Sequence, residues 1–187
     1  KTELKMSIDN PDCSDAFQKH MYMFHNYDMS KHEDRMKASA LCRLTGYMIT
    51  DGTCNRILYL GHKIDVENVL DDIFLLTGKR PQVIRNKRVF QLHVPAELTR
   101  KISELVPWTG NPLQLPEFLF DEDCPTFLIR EFIAGMFGGD GILPCISQYH
   151  YTSMQLIASK IGQHVPSLKQ EYKRLCKVLF ERFNIVA

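Results

Sequence analysis

The sequence lacks any run approaching the roughly 18 uninterrupted apolar residues of a membrane-spanning helix, and Lys1-Thr2-Glu3-Leu4-Lys5 has no apolar stretch of the kind that starts a secretion signal. Neither a membrane nor a secretory role is expected, and an intracellular setting (cytoplasm or nucleus) is the default reading. There are only six cysteines, at positions 13, 42, 54, 124, 145 and 176, with no Cys-x-x-Cys pair among them. That argues against structural zinc and against a disulfide framework, and leaves free, mostly buried thiols. Pro-, Gly- or Ser-rich tracts and long charge blocks are missing too, so nothing marks the chain as disordered. Charge of one sign is also scarce: the net charge is +1 and the isoelectric point about 7.8. Nucleic-acid binding must therefore be argued from where the cations stand, since the total does not announce it.

What remains is an ordinary globular composition, 44% hydrophobic and 24% charged over 187 residues, enough for one good core or two small subdomains. Residues 1–12 read as irregular. Ser14 or Asp15 can cap a short helix carrying Phe17, Met21 and Phe24. Residues 37–50 form an apolar helix ending at Asp51-Gly52, where glycine is a stop signal, and a strand follows at 55–61. The spacing of Val66, Val69, Leu70, Ile73 and Phe74 predicts a helix over 65–78 with Gly78 as its cap. A hairpin follows, with arms at 81–85 and 88–94 around Asn86-Lys87, placing Arg88, Phe90, Leu92 and Val94 on one face. A helix at 96–105 leads into a linker around Trp108–Pro112. A second apolar helix starts near Pro125, which suits a first helical position, and ends at Asp140-Gly141. Strand-like segments at 142–149 and 152–159 and an amphipathic helix at 164–183 complete the chain. The order of elements thus recurs as an αββα-like unit, with 140 − 51 = 89 residues between the two Asp-Gly helix ends. The expected organisation is a lead-in at 1–36, a first half at 37–110, a linker at 111–124 and a second half at 125–187 that lacks its final strands.

The two helix ends, Gly46–Gly52 and Gly135–Gly141, share Gly-x-x-x-x-Asp-Gly. At ordinary residue frequencies a chain of this length contains two such matches by chance about one time in a thousand. An aspartate is unfavourable at a helix C-terminus, where the macrodipole is negative. Glycines on both helices permit close packing, which would bring Asp51 and Asp140 together, and two carboxylates about 5 Å apart repel by roughly 3 kcal/mol at an effective dielectric near 20. A divalent cation reverses that penalty. Carboxylate and carbonyl oxygens suit Mg²⁺ (or Mn²⁺), and such ions are widely used to hydrolyse phosphodiesters. Read singly, each Asp-Gly is just a turn that ends a helix; it is the pair that favours metal.

At these residues the sequence resembles the LAGLIDADG homing endonucleases. The nine-residue segments Leu44–Gly52 and Ile133–Gly141 occupy the family's motif, and the resemblance runs from about residue 35 to 185. It is nearest to members embedded in inteins, through Tyr59-Leu60-Gly61-His62-Lys63-Ile64-Asp65, Leu76-Thr77-Gly78-Lys79-Arg80-Pro81 and Arg130-Glu131-Phe132. The resemblance implies a pseudo-twofold, duplicated αββαββα fold of the α+β class, in which Asp51 and Asp140 bind metal and cleave double-stranded DNA at a long recognition site as a monomer. It also implies basic residues near the scissile phosphates, for which Lys63 and Lys160 are the candidates. The chain carries no splicing nucleophile at its first residue and no His-Asn pair at its end, so it is not expected to splice.

A two-stranded ribbon fits the major groove, and the 81–94 hairpin carries Gln82, Arg85, Lys87, Arg88, Gln91 and His93, side chains suited to bases and phosphates. Arg56, Tyr59, Gln148, His150 and Thr152 are weaker candidates. Two further readings compete with a nuclease. One is a DNA- or RNA-binding module on the same scaffold, maturase-like or degenerate. The other is a duplicated interaction domain whose Asp-Gly pairs only end helices.

Overall fold

Helix α1 (His32–Asp51) starts earlier than apolar periodicity alone places it. Its first turn carries Glu33 and Asp34, favourable at the positive end of the helix dipole. Behind them the buried Arg35 donates from its guanidinium to the carbonyls of Met29 and Ser30, both at 2.9 Å. This computed structural model describes residues 22–106, 114–142, 145–146, 151–153, 155–157 and 162–187. The linker expected at Trp108–Pro112 and nearly all of the lead-in helix lie outside them. Of the lead-in, Tyr22–Phe24 form a single 3₁₀ turn. Phe24 is fully buried, edge-on to Phe118, which in turn stands edge-on to Phe132.

After α1 come strand β1 (Ile57–Leu60), helix α2 (Lys63–Thr77), strands β2 (Val83–Asn86) and β3 (Val89–His93), and helix α3 (Ala96–Leu105). Helix α2 ends as its sequence predicts: Gly78 is left-handed at φ 70° and its N–H donates to the Phe74 carbonyl at 2.7 Å. The three strands form an antiparallel sheet in the order β1-β3-β2. The hairpin turn lies at Lys87-Arg88, one residue later than expected. Asn86 pairs with Val89, and Lys87 takes the positive φ of 55° that a two-residue turn demands. Leu58, Leu60, Leu92 and Val94 face the core, as alternation requires.

Helix α4 (Thr126–Asp140) follows Pro125, which caps the helix instead of opening its first turn. Beyond it, β4 (Gly141–Ile142) pairs with β7 (Gln155–Leu156), and β5 (Cys145–Ile146) pairs with β6 (Tyr151–Thr152). All four pairings share one register, so they are the two arms of one hairpin. Helix α5 (Val165–Phe183) closes the described chain. Among the described residues, five α-helices and these small antiparallel sheets make an α+β protein.

The centre of the fold is the crossing of α1 and α4, where backbones touch. A β-carbon on Gly46 would meet the Phe132 carbonyl oxygen and lie 2.6 Å from the Met136 nitrogen. One on Gly135 would meet the Arg43 carbonyl oxygen and lie 3.1 Å from the Arg43 α-carbon. The two contacts are reciprocal, since 135 − 46 = 132 − 43 = 89. A continuous apolar cluster surrounds this crossing, with side chains from α1 (Leu41, Leu44, Met48), α2 (Val69, Ile73), α4 (Leu128, Phe132) and α5 (Leu175, Val178). Of the described cysteines, Cys42 and Cys124 are buried and Cys176, on α5, is intermediate, while Cys54 in a turn and Cys145 in β5 are carried outward and exposed. Among the described residues no helix is long and apolar enough to cross a membrane.

Candidate active site and nucleic-acid face

Helices α1 and α4 end in the same way. Gly52 and Gly141 both have φ −82°, with ψ 151° and 143°, and their N–H groups donate back to the Met48 and Phe137 carbonyls. Neither glycine is left-handed. They are required for space: a β-carbon on Gly52 would lie 2.9 Å from the Met48 α-carbon, and one on Gly141 would lie 2.8 Å from that of Phe137. The chain leaves each helix by folding over its last turn, with an aspartate at the bend. Gly52 then pairs with Leu58 in a single antiparallel bridge, and Gly141 pairs with Leu156 at the foot of the longer hairpin.

The crossing brings the two aspartates together. The Asp51 carboxylate lies against α4, with its Oδ2 3.0 Å from where a Gly139 β-carbon would be. Burial, then the charge of Asp140, then that of Asp65, push Asp51 up to about 6. Thr50 shares the contact with Gly139 and donates its hydroxyl to the carbonyls of Gly46 (3.2 Å) and Tyr47 (3.1 Å). Tyr47, one turn before Asp51, packs its hydroxyl on Gly138 and donates to Asp65 Oδ1 at 3.4 Å. Burial and the Asp65 charge push that phenol up to about 12. From the other side Tyr172 of α5 is pushed up to about 12, by burial and then by the charge of Asp140.

Such a pair of half-buried, mutually repelling carboxylates fits a hard divalent cation, which takes oxygen ligands and offsets the repulsion. Among the described residues no three His, Cys, Asp or Glu side chains are grouped to hold a metal. An ion at Asp51 and Asp140 would therefore complete its shell with backbone carbonyls, water and substrate oxygens. Behind the site Arg43 joins three helices. It makes a fork to Asp72 of α2 (Nη2 to Oδ1 2.6 Å, Nε to Oδ2 2.9 Å) and an ion pair with Glu131 of α4. The Asp72 carboxyl is nevertheless raised, because burial outweighs the guanidinium.

Of the basic candidates, Lys63 is the exposed first residue of α2, two positions before Asp65, while Lys160 lies outside the described residues. The same is true of Gln148 and His150, and of Thr152 only its place in β6 is described. The remaining candidates surround one sheet. Arg56 stands in the turn before β1 at φ 61°, its carbonyl accepting from the Val94 N–H at 2.9 Å. Tyr59, Gln91 and His93 point away from the core. Gln82, Lys87 and Arg88 are exposed at the ends of the hairpin, and Arg85 lies over the Phe90 ring.

Sequence reasoning did not assign roles to Tyr47, Asp65, Tyr172 or Arg43 at the site. Tyr47 had a readable signal, the i,i+4 spacing to Asp51. Tyr172, 32 residues beyond Asp140, had none. In comparison with known proteins the chain matches no family model and no curated protein sequence.

Proposed function

We propose that the chain is a LAGLIDADG-type, site-specific endonuclease that hydrolyses phosphodiester bonds in double-stranded DNA, with Asp51 and Asp140 holding divalent metal, Mg²⁺ or Mn²⁺. The observation that carries the reading is the reciprocal helix crossing, which sets two Asp-Gly ends side by side at an offset of 89 residues. The two antiparallel stems that follow, Gly52 with Leu58 and Gly141 with Leu156, support a pseudo-twofold duplication of the αββα kind. A bound cation would polarise a phosphate oxygen and make its water a stronger nucleophile. The chain's own part is electrostatic and positional. Asp51 and Asp140 supply two anionic oxygen donors at one point, and their partial burial raises the energy of leaving them uncompensated. Tyr47 donates to Asp65, whose charge acts on Asp51 from outside the pair. The sheet and its cations hold the duplex across the site as a single monomeric unit, and Lys63 and Lys160 are the candidates to meet the phosphates. The chain would be carried within an intein host and act inside the cell.

The test is cleavage of a randomised duplex library with Mg²⁺ by the parent, Asp51→Asn and Asp140→Asn. One enriched long site, cut by the parent alone, is the expected result. Salt-sensitive duplex binding with no cutting in any of the three would leave the scaffold as a binding module. That second reading draws on the lack of a third grouped ligand among the described residues.

A further inference from the structure

The three-stranded sheet has one row in which no side chain faces the core. Tyr59 of β1 pairs with Gln91 of β3, and Gln91 pairs with Ile84 of β2. Tyr59 is 36% exposed and Ile84 48% exposed, while the rows on either side turn Leu58, Leu92 and Leu60 inward. Ile84 is a large apolar side chain in mid-strand, in a setting that otherwise favours polar residues, and nearly half of it is open to solvent. Tyr59 follows Leu58, the bridge partner of Gly52, so the β1 end of the row lies on the strand that joins the Asp51-Gly52 helix end. The surrounding stretches, 53–64 and 81–94, contain Arg56, Lys63, Arg85, Lys87 and Arg88 and not one acidic residue. A polyanion is thereby favoured over an acidic or apolar protein partner. Strands lie about 4.8 Å apart, so the row spans about 10 Å, which fits a major groove about 12 Å wide.

We infer that the row Tyr59–Gln91–Ile84 reads A·T base pairs in the major groove, Gln91 taking adenine and Ile84 the 5-methyl group of thymine. The inference rests on the proposed DNA reading and adds the base class to it. A glutamine amide matches the N6 donor and N7 acceptor of adenine, and the thymine methyl is the sole apolar group that a base shows in that groove. Isoleucine offers nothing to guanine or to the cytosine amino group. Tyr59 supplies a flat surface and a hydroxyl at the β1 end of the row.

The experiment uses the duplex recovered by selection from a randomised library with the full chain, and the same duplex synthesised with uracil for thymine. Uracil keeps every hydrogen-bonding group and removes only the methyl. The parent is expected to bind the uracil duplex about fourfold more weakly for each methyl that Ile84 contacts. Ile84→Ala is expected to bind thymine duplex with the same loss and to show no further loss on uracil. Its melting temperature should match the parent's, since the side chain is half exposed. Equal affinity of the parent for both duplexes overturns the inference, and so does an equal uracil penalty in parent and Ile84→Ala, or a recovered site with no fixed A·T pair. If the parent shows no salt-sensitive binding to any duplex, the DNA reading itself falls, an outcome distinct from the others.

Discussion

The two Asp-Gly helix ends share backbone geometry to within 8° at their glycines (ψ 151° and 143°), whereas the hairpins that leave them differ in length. Leu58 follows Gly52 by six residues (58 − 52), and Leu156 follows Gly141 by fifteen (156 − 141). The difference follows from what each part touches. The helices that carry these ends touch backbone to backbone at Gly46 and Gly135, and Gly52 and Gly141 fold over the last turns of their own helices. An added methyl group has no room at any of the four, so glycine is held at matching positions. The hairpins meet their partners through side chains and solvent, and can change length without disturbing the crossing. Position 43 shows the same contrast within the helices. Its counterpart is Phe132, so the Arg43 ion network with Asp72 and Glu131 exists on one side only.

That one-sidedness gives the largest expected effect. Arg43→Met should cost about 3–5 kcal/mol in urea unfolding, because it strands the buried Asp72 without a partner. An Arg43→Met, Asp72→Leu pair should recover most of the loss; if it recovers nothing, the penalty is not the unpaired carboxylate. Next come the crossing glycines. Gly46→Val and Gly135→Val should each destabilise by about 3 kcal/mol, since both side chains would be driven into a facing carbonyl. The costs should match, and a large inequality would break the reciprocal geometry. Gly61→Ala, at a position open to solvent, is the control.

Asp51→Asn has the opposite sign. The native Asp51 sits at about 6, above its ordinary 3.8, so between those values the folded state holds more protons than the unfolded state. Parental stability therefore falls as pH rises from about 4 to 6, and the full cost is felt above that. Asparagine escapes this cost. The variant should be more stable than the parent at pH 7 by about 1–2 kcal/mol, after allowance for solvent screening of a half-buried group, and the gap should close near pH 4. A pH-independent gap would assign the effect to packing. Added Mg²⁺ should stabilise the parent by about 1.4 kcal/mol at ten times its dissociation constant and leave Asp51→Asn unchanged, as read from melting temperatures. The smallest effect is on salt dependence. Lys87→Gln should lower the slope of log affinity against log salt by about 0.9 if that lysine meets one phosphate; an unchanged slope would remove Lys87 from the contact surface.

Much of the fold was legible in local pattern. Helix α3 falls at 96–105 as expected, Gly78 caps α2 in the left-handed region, and alternation sorts Leu92 and Val94 from His93. The misses lie where a distant or sterically crowded group decides. The start of α1 depends on Arg35 reaching back to Met29 and Ser30, and the hairpin turn moved one residue to put Lys87 at positive φ. Gly52 and Gly141 were readable as stops, but their reason, room for the chain to fold over its own last turn, appears only in three dimensions.

The amino-acid order alone determined which residues repeat: two apolar helices, each with a glycine five residues before a terminal aspartate, at a spacing of 89. Periodicity and composition are local properties and can be read without folding. Tertiary structure decided what those residues meet. It set Gly46 on the Phe132 carbonyl and Gly135 on that of Arg43, brought Asp65 and Tyr172 to the two aspartates, and joined residues 43, 72 and 131 through one guanidinium. These are contacts between elements far apart in the chain. They depend on the angle and depth at which two helices cross, which the packing of the whole core fixes and no single segment encodes.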